Sequence, residues 1–509
     1  MQNTFKVIKK TVGFNLFSKC MHWFNSDSEV LTCTALFFGM SLFIPNNKSF
    51  FVLAAVYVSM VFILKKSIYL TLLYCLIPLA IYGIGQTYIY NLIPAHVLKH
   101  PLYPEGRNIS FVFSPFTVAA LTGLFMVIFI FLKSFKKKLV SITELLFLAV
   151  FGIQVYSATV SEFYPVISVL LALSSFGSMA FIFIAKHYFY SLTQLQKSKF
   201  VSTLISICVL ALCLQTTLAT MQYAKRSSLG IKIESTTDLP YNGAGADEDS
   251  SQVRPVGLTN HANILAFDVM NMWLFGFLLW IVLERKQQKK MGKILVMGFL
   301  CATLTIVLTQ SRSVYLSWFI ICLLLLWKSD LLMIDVAGIL KFFKRFKPII
   351  FACIPIVTYL VVTRALYTLE SFNPQAGGGT REFLIKEAQQ LILKNPLGVG
   401  AGMFIPAAFE QNVTKVMSYF PEAVHNGFLL FISESGFIAF SIYLCGLCSL
   451  VFTAKKIGHS SFFLITIAAI LANFTVMFFQ PFAGILPLAV IGIFFAQYAI
   501  QNTQKNSLS

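Results

Sequence analysis

Fourteen apolar runs, each at or near the length that crosses a lipid bilayer, constrain this chain more than any other feature. They lie at about 29–45, 49–64, 68–90, 111–132, 139–159, 163–185, 201–221, 262–283, 294–310, 313–328, 348–363, 427–453, 461–479 and 482–500. A spanning helix needs about 20 apolar residues, so the shortest runs borrow neighbours or tilt. Within lipid every backbone polar group must be satisfied by the chain itself, which favours helices. The expected fold is therefore an all-α polytopic membrane protein of about 12–14 transmembrane helices. Composition agrees: 57% of residues are hydrophobic and 12% charged, against about 25% charged in soluble domains. Mean hydropathy is +0.77. Residues 1–28 are basic but lack the compact apolar core and small-residue cleavage site of a secretory leader, so none is expected.

Lysine gives the runs a direction. With the N-terminus inside, the inside segments are the basic N-terminus, Lys65-Lys66, Lys133 to Lys138, Lys186 to Lys199, Arg285 to Lys293, Lys328 to Lys347, Lys455-Lys456 and the C-terminal tail. Each carries lysine, as cytoplasmic loops do. The net charge of +19 then reads as cytoplasmic lysine facing anionic headgroups. It is spread over many short loops, which speaks against nucleic acid as a partner. The cysteines sit almost entirely within apolar runs without metal-ligand spacing, and read as small buried hydrophobes.

Two long connections fall on the outside, dividing the chain into helices over 1–221, a loop over 222–261, helices over 262–363, a large loop over 364–426 and helices over 427–509. The first loop holds the Gly-rich acidic stretch NGAGADEDSSQ and ends in VRPVGLTNHANILAF. In the second, Leu384, Ile385, Ala388, Leu391 and Ile392 fall on one face of an amphipathic helix over Arg381–Lys394. Asn395-Pro396 stops it, and PLGVGAGMF follows. This helix is expected to lie on the membrane surface or to cap a cavity.

Arginine and lysine sort differently. Six of the eight arginines are placed outside: Arg107, Arg226, Arg254, Arg312, Arg364 and Arg381. The positive-inside pattern does not require this. Guanidinium is planar, always charged and bidentate towards phosphate. Arg312, in TQSRSVYL, lies at the outer boundary between two apolar runs, where an arginine is costly unless paired or facing a wet cavity. Arg254 precedes a helix start and Arg381 opens the amphipathic helix. These three are the candidate anion ligands, with Arg364 in support. His425 opens the run HNGFLLFISESGF on the same side. A neutral histidine there is a candidate general base, with Asn426 beside it. His261 and Asn263, in NHANILA, are a weaker counterpart.

RPVGLTNHANILA, then LTQSRS, then GGGTREFLIKEAQQLILKNPLGVGAGMF, then HNGFLLFISESG together resemble the O-antigen ligase and polymerase superfamily. The most specific element is His425-Asn426, nine residues, then Gly436. The resemblance covers about residues 250–440. It implies a metal-independent, cofactor-free enzyme of the bacterial inner membrane, with its site facing the periplasm. Such an enzyme moves a glycan en bloc from undecaprenyl diphosphate to an acceptor hydroxyl, with inversion. It implies His425 as catalytic base and Arg254, Arg312 and Arg381 as diphosphate ligands. The acceptor is the lipid A core in the ligase branch, another lipid-linked repeat in the polymerase branch, and a pilin-like Ser or Thr in the protein O-oligosaccharyltransferase branch. From another class, a lipid-linked glycan flippase has a similar helix number. It would show midplane charge and repeat symmetry, where this chain has few ionisable helix centres.

Overall fold

The computed structural model describes residues 27–82, 86–94, 106–136, 141–234, 253–259, 261–283, 285–327, 378–418, 421–424 and 426–456. Among them are helices α1 (Ser28–Ser41), α2 (Asn47–Lys65), α3 (Ile68–Ala80), α4 (Pro115–Lys136), α5 (Ile142–Thr159), α6 (Pro165–Ser191), α7 (Gln194–Lys225), α8 (Ala262–Val282), α9 (Arg285–Thr309), α10 (Arg312–Trp327), α11 (Gly378–Lys394), α12 (Phe404–Gln411) and α13 (Gly427–Lys456). Strands β1 (Gln86–Pro94) and β2 (Gly106–Phe113) pair antiparallel between α3 and α4. Six described helices (α2, α5, α7, α8, α9 and α13) are long and apolar enough to cross a membrane. Among the described residues the fold is helical and multi-pass as expected, apart from this one hairpin. The expected spans at 348–363, 461–479 and 482–500 lie outside the described residues, as do His425 and Arg364.

The hairpin corrects two expected boundaries. The run at 68–90 is helical only to Ala80, and the run at 111–132 becomes helical at Pro115. The alternating Thr87, Ile89 and Tyr88, Tyr90 suit a pleated strand. Pro78 already removes a backbone donor within α3. An apolar run does not by its period alone distinguish strand from helix.

The centre of the bundle is α7, α8 and α9. Of the apolar window of α8, 83% is buried, against 22% for α2, so α8 is surrounded by protein and α2 faces outward. With no hydrophobic drive between helices in lipid, polar bonds and close packing hold them. The Thr305 hydroxyl donates to Thr216 Oγ1 at 2.8 Å, and Thr216 to the Cys301 carbonyl at 3.1 Å. The Trp273 indole donates to the Leu295 carbonyl at 3.2 Å. At the other end of α7, buried Asp27 pairs with Lys65 and receives the more distant Lys199 at 3.9 Å, tying α1, α2 and α7 together.

A second unit stands on α13. The amphipathic helix α11 buries Leu384, Ala388 and Leu391 against Met403, Phe404 and Ala408 of the α12 segment, with Val416 and Met417 of a following 3-10 turn. Its apolar face is therefore covered by protein, which favours the cap over a helix lying on lipid. Glu387 is fully buried on this helix. Its Oε1 accepts the backbone N–H and hydroxyl of Thr414 at 2.5 and 2.6 Å, pinning the loop after α12. Replacing Glu387 by leucine should orphan that N–H. The expected cost is about 1–3 kcal/mol, measurable as a lower thermal midpoint of the purified protein.

Candidate functional site

The loop before α8 folds back onto the end of the bundle. Arg254 is buried, at 8% exposure. Its Nε donates to the Thr309 carbonyl at 2.9 Å and its Nη2 to Asn263 Oδ1 at 2.5 Å. Thr309 is the last residue of α9 and Asn263 is in the first turn of α8. One guanidinium thus joins the loop before α8, the first turn of α8 and, 55 residues beyond Arg254, the end of α9. Thr309 needs this partner, because the last carbonyls of a helix have none within it. Arg254 and Asn263, both predicted site residues, are brought together.

The turn after Thr309 places the second arginine. Gln310 takes a left-handed backbone, φ 54°, and the chain re-enters helix at Arg312, the first residue of α10. Arg312 therefore lies three residues beyond the carbonyl that Arg254 holds. Between them Ser311 is 1% exposed and its hydroxyl has no partner. Its carbonyl accepts from Tyr315 N–H at 2.9 Å, so Ser311 occupies the N-cap position of α10 without making the side-chain cap. A buried unpaired hydroxyl at a helix N-terminus is costly in isolation and is suited to an anionic oxygen.

His261 and Asn426 have structural roles. His261 is the N-cap of α8, and its Nδ1 accepts from Asn263 N–H at 3.0 Å. That bond leaves the proton of the neutral ring on Nε2. Asn426 Oδ1 accepts from Phe428 and Leu429 N–H at 3.0 and 3.2 Å, capping α13 directly after His425. Asn426→Ala should cost about 1 kcal/mol of stability and Asn426→Asp nearly nothing, a contrast readable in thermal melts. Arg381 lies in the first turn of α11.

The spacing from His425 to Gly436 has a physical reason that the sequence did not disclose. At Gly436 the helix α13 breaks, with φ 86° and ψ 162°, a conformation essentially reserved for glycine. The groups freed by the break bind the PLGVGAG loop. Val399 N–H donates to the Ser433 carbonyl and Gly400 N–H to the Glu434 carbonyl, both at 2.9 Å, and Phe437 N–H donates to the Pro396 carbonyl at 3.1 Å. Ser157 on α5 also reaches the Glu434 carbonyl, at 3.0 Å. The Glu434 carboxylate accepts the backbone N–H groups of Gly402 and Phe404 at the start of α12. Ser161 Oγ donates to the Val399 carbonyl at 2.6 Å. The cap is thus welded to the broken helix rather than resting on it. A Cβ on Gly436 would stand 2.6 Å from the Leu397 carbonyl carbon.

No curated protein matches the chain. The segment from α9 to the middle of α13 holds the Arg312 turn, the α11–α12 cap and the break at Gly436, and the residues that match a known family span these same elements. Residues 297–444 match the family model described as O-Antigen ligase, the superfamily that the sequence motifs resemble.

Proposed function

We propose that this protein is an inverting, metal-independent glycan ligase of the bacterial inner membrane, with its site on the periplasmic face. The donor is a glycan on undecaprenyl diphosphate and the acceptor is a hydroxyl of the lipid A core. The observation that carries the reading is the Arg254 clamp, which sets a buried cation beside the turn that opens at Arg312. Arg254, Arg312 and Arg381 bind the diphosphate, with Arg364 in support, and stabilise the charge that develops as it leaves. The unpartnered Ser311 hydroxyl offers a further donor to the same anion. His425 takes the proton of the acceptor hydroxyl. The acceptor oxygen then bonds to the anomeric carbon from the side opposite the diphosphate. The bond from that carbon to the phosphate oxygen breaks with its electron pair, which inverts the configuration.

Deleting the gene and analysing surface glycans tests the acceptor. Loss of all long chains from the lipid A core is the expected result. A single repeat on the core would point to a polymerase instead, and an unmodified pilin to protein glycosylation. His425→Ala should abolish transfer in a protein that still inserts. Near-normal transfer by that variant would remove the base assignment. Arg312→Lys should restore little of what Arg312→Ala loses, because lysine cannot form the bidentate contact.

A further inference from the structure

We propose that Gln222, in the last turn of α7, is the positioning residue for Arg254; the inference rests on the reading of Arg254 as a diphosphate ligand. Gln222 is fully buried and its amide forms four bonds. Oε1 accepts Val256 N–H at 3.0 Å and Gly257 N–H at 2.8 Å. Nε2 donates to the Gly257 carbonyl at 3.0 Å and to Glu234 Oε1 at 2.7 Å. Glu234 accepts Leu229 N–H at 2.8 Å and Ile231 N–H at 3.0 Å. One glutamine therefore holds the segment that leaves α7 and the segment that returns to α8.

The grip reaches Arg254 through a short and stiff path. Only Pro255 lies between Arg254 and Val256, and its ring fixes φ near −65°. Val253, Val256 and Ala262 form a small apolar cluster around the same turn. Two helical turns earlier on α7, Gln215 Oε1 accepts Leu258 N–H at 3.0 Å, and its Nε2 donates to the Ile81 carbonyl at 3.2 Å. Gly257 has φ 56°, and a Cβ there would collide with Gln215 Oε1. The backbone from 254 to 258 is thus set by buried amides of α7. The bonds to Thr309 and Asn263 then fix the direction of the Arg254 side chain. Preorganising a cation in this way lowers the cost of placing it against developing charge.

A double-mutant cycle tests this, using the full-length protein in liposomes and transfer from undecaprenyl-diphosphate glycan as the readout. Gln222→Met keeps the shape and removes the four bonds. Alone it should lower transfer about 30-fold, through misplacement of Arg254. In an Arg254→Lys background, where the clamp is already lost, it should lower transfer less than about threefold further. An equal loss in both backgrounds, or no loss in the first, overturns the proposal while leaving Arg254 as a ligand. Full transfer by Arg254→Lys and Arg254→Ala would overturn the site reading, and the proposal with it. If Gln222→Met fails to insert, the exchange Gln222→Glu with Glu234→Gln decides. Gln222→Glu alone opposes two carboxylates and should be impaired. The exchange restores the amide–carboxylate pair and should recover at least about tenfold of that loss, and no recovery contradicts the proposal.

Discussion

Arg254→Lys is expected to lower glycan transfer by about 100-fold with the protein still inserted and folded. Arg254 serves the Thr309 carbonyl with Nε and Asn263 Oδ1 with Nη2 at the same time. A lysine carries one nitrogen on an unbranched stem and cannot reach both acceptors while facing a third group. Losing roughly 2.7 kcal/mol of charge-assisted hydrogen bonding corresponds to the stated factor at about 1.36 kcal/mol per tenfold. Asn263→Asp is the companion change. It keeps an acceptor but adds a negative charge beside the guanidinium. It should keep Arg254 in place and weaken capture of the anionic donor, seen as a raised donor KM rather than a lost kcat. Equal transfer by wild type and Arg254→Lys would show that the clamp serves stability alone.

Gly436→Ala is expected to be as damaging, for a different reason. The backbone at φ 86° and ψ 162° costs a residue with a Cβ roughly 1–3 kcal/mol. The added methyl also meets the Leu397 and Pro396 backbone at 2.6 and 2.7 Å. Two backbones that pack this closely cannot relax independently, because three backbone hydrogen bonds join the 396–400 loop to the helix across the break. The variant should show a lower thermal midpoint and transfer reduced by about 100-fold, since the cap no longer sits over the broken helix. Gly398→Ala meets the other side of the same contact and should behave alike. Gly152→Ala on α5, where an added Cβ meets nothing within 4 Å, should be neutral or slightly stabilising. A Gly436→Ala protein with unchanged melting and transfer would mean that the break is incidental.

The sequence disclosed the helices of this fold because burial in lipid imposes long apolar runs. It hid the β1–β2 hairpin for the same reason. Ile89, Leu92 and Ile93 continue the apolar run of the helix before them, and the alternation of aromatic and β-branched residues marks the strand. Arg254, Asn263 and the cap helix were legible as charged or amphipathic features next to membrane runs. Their contacts were not. That Arg254 would take the Thr309 carbonyl depends on how α9 ends, which is decided by Gln310 and its left-handed backbone. Gly436 was visible as the end of a spacing but not as a helix break, because a single glycine within an apolar helix is tolerated. The polar trio Ser433, Glu434, Ser435 just before it was the available signal. Gln215 and Gln222 also left a trace, two amides seven residues apart on one face of an apolar helix. Buried amides need partners, and here the partners are the backbone of the loop that carries Arg254.

Reconstitution separates glycan transfer from lipid transport. The purified protein is placed in liposomes with an undecaprenyl-diphosphate-linked glycan and lipid A core, with no metal or nucleotide added. The expected result is glycan joined to the core with an inverted linkage and one undecaprenyl diphosphate released per transfer, lost with Arg254→Ala and His425→Ala. Movement of the intact lipid-linked donor across the bilayer without any new glycosidic bond would contradict it.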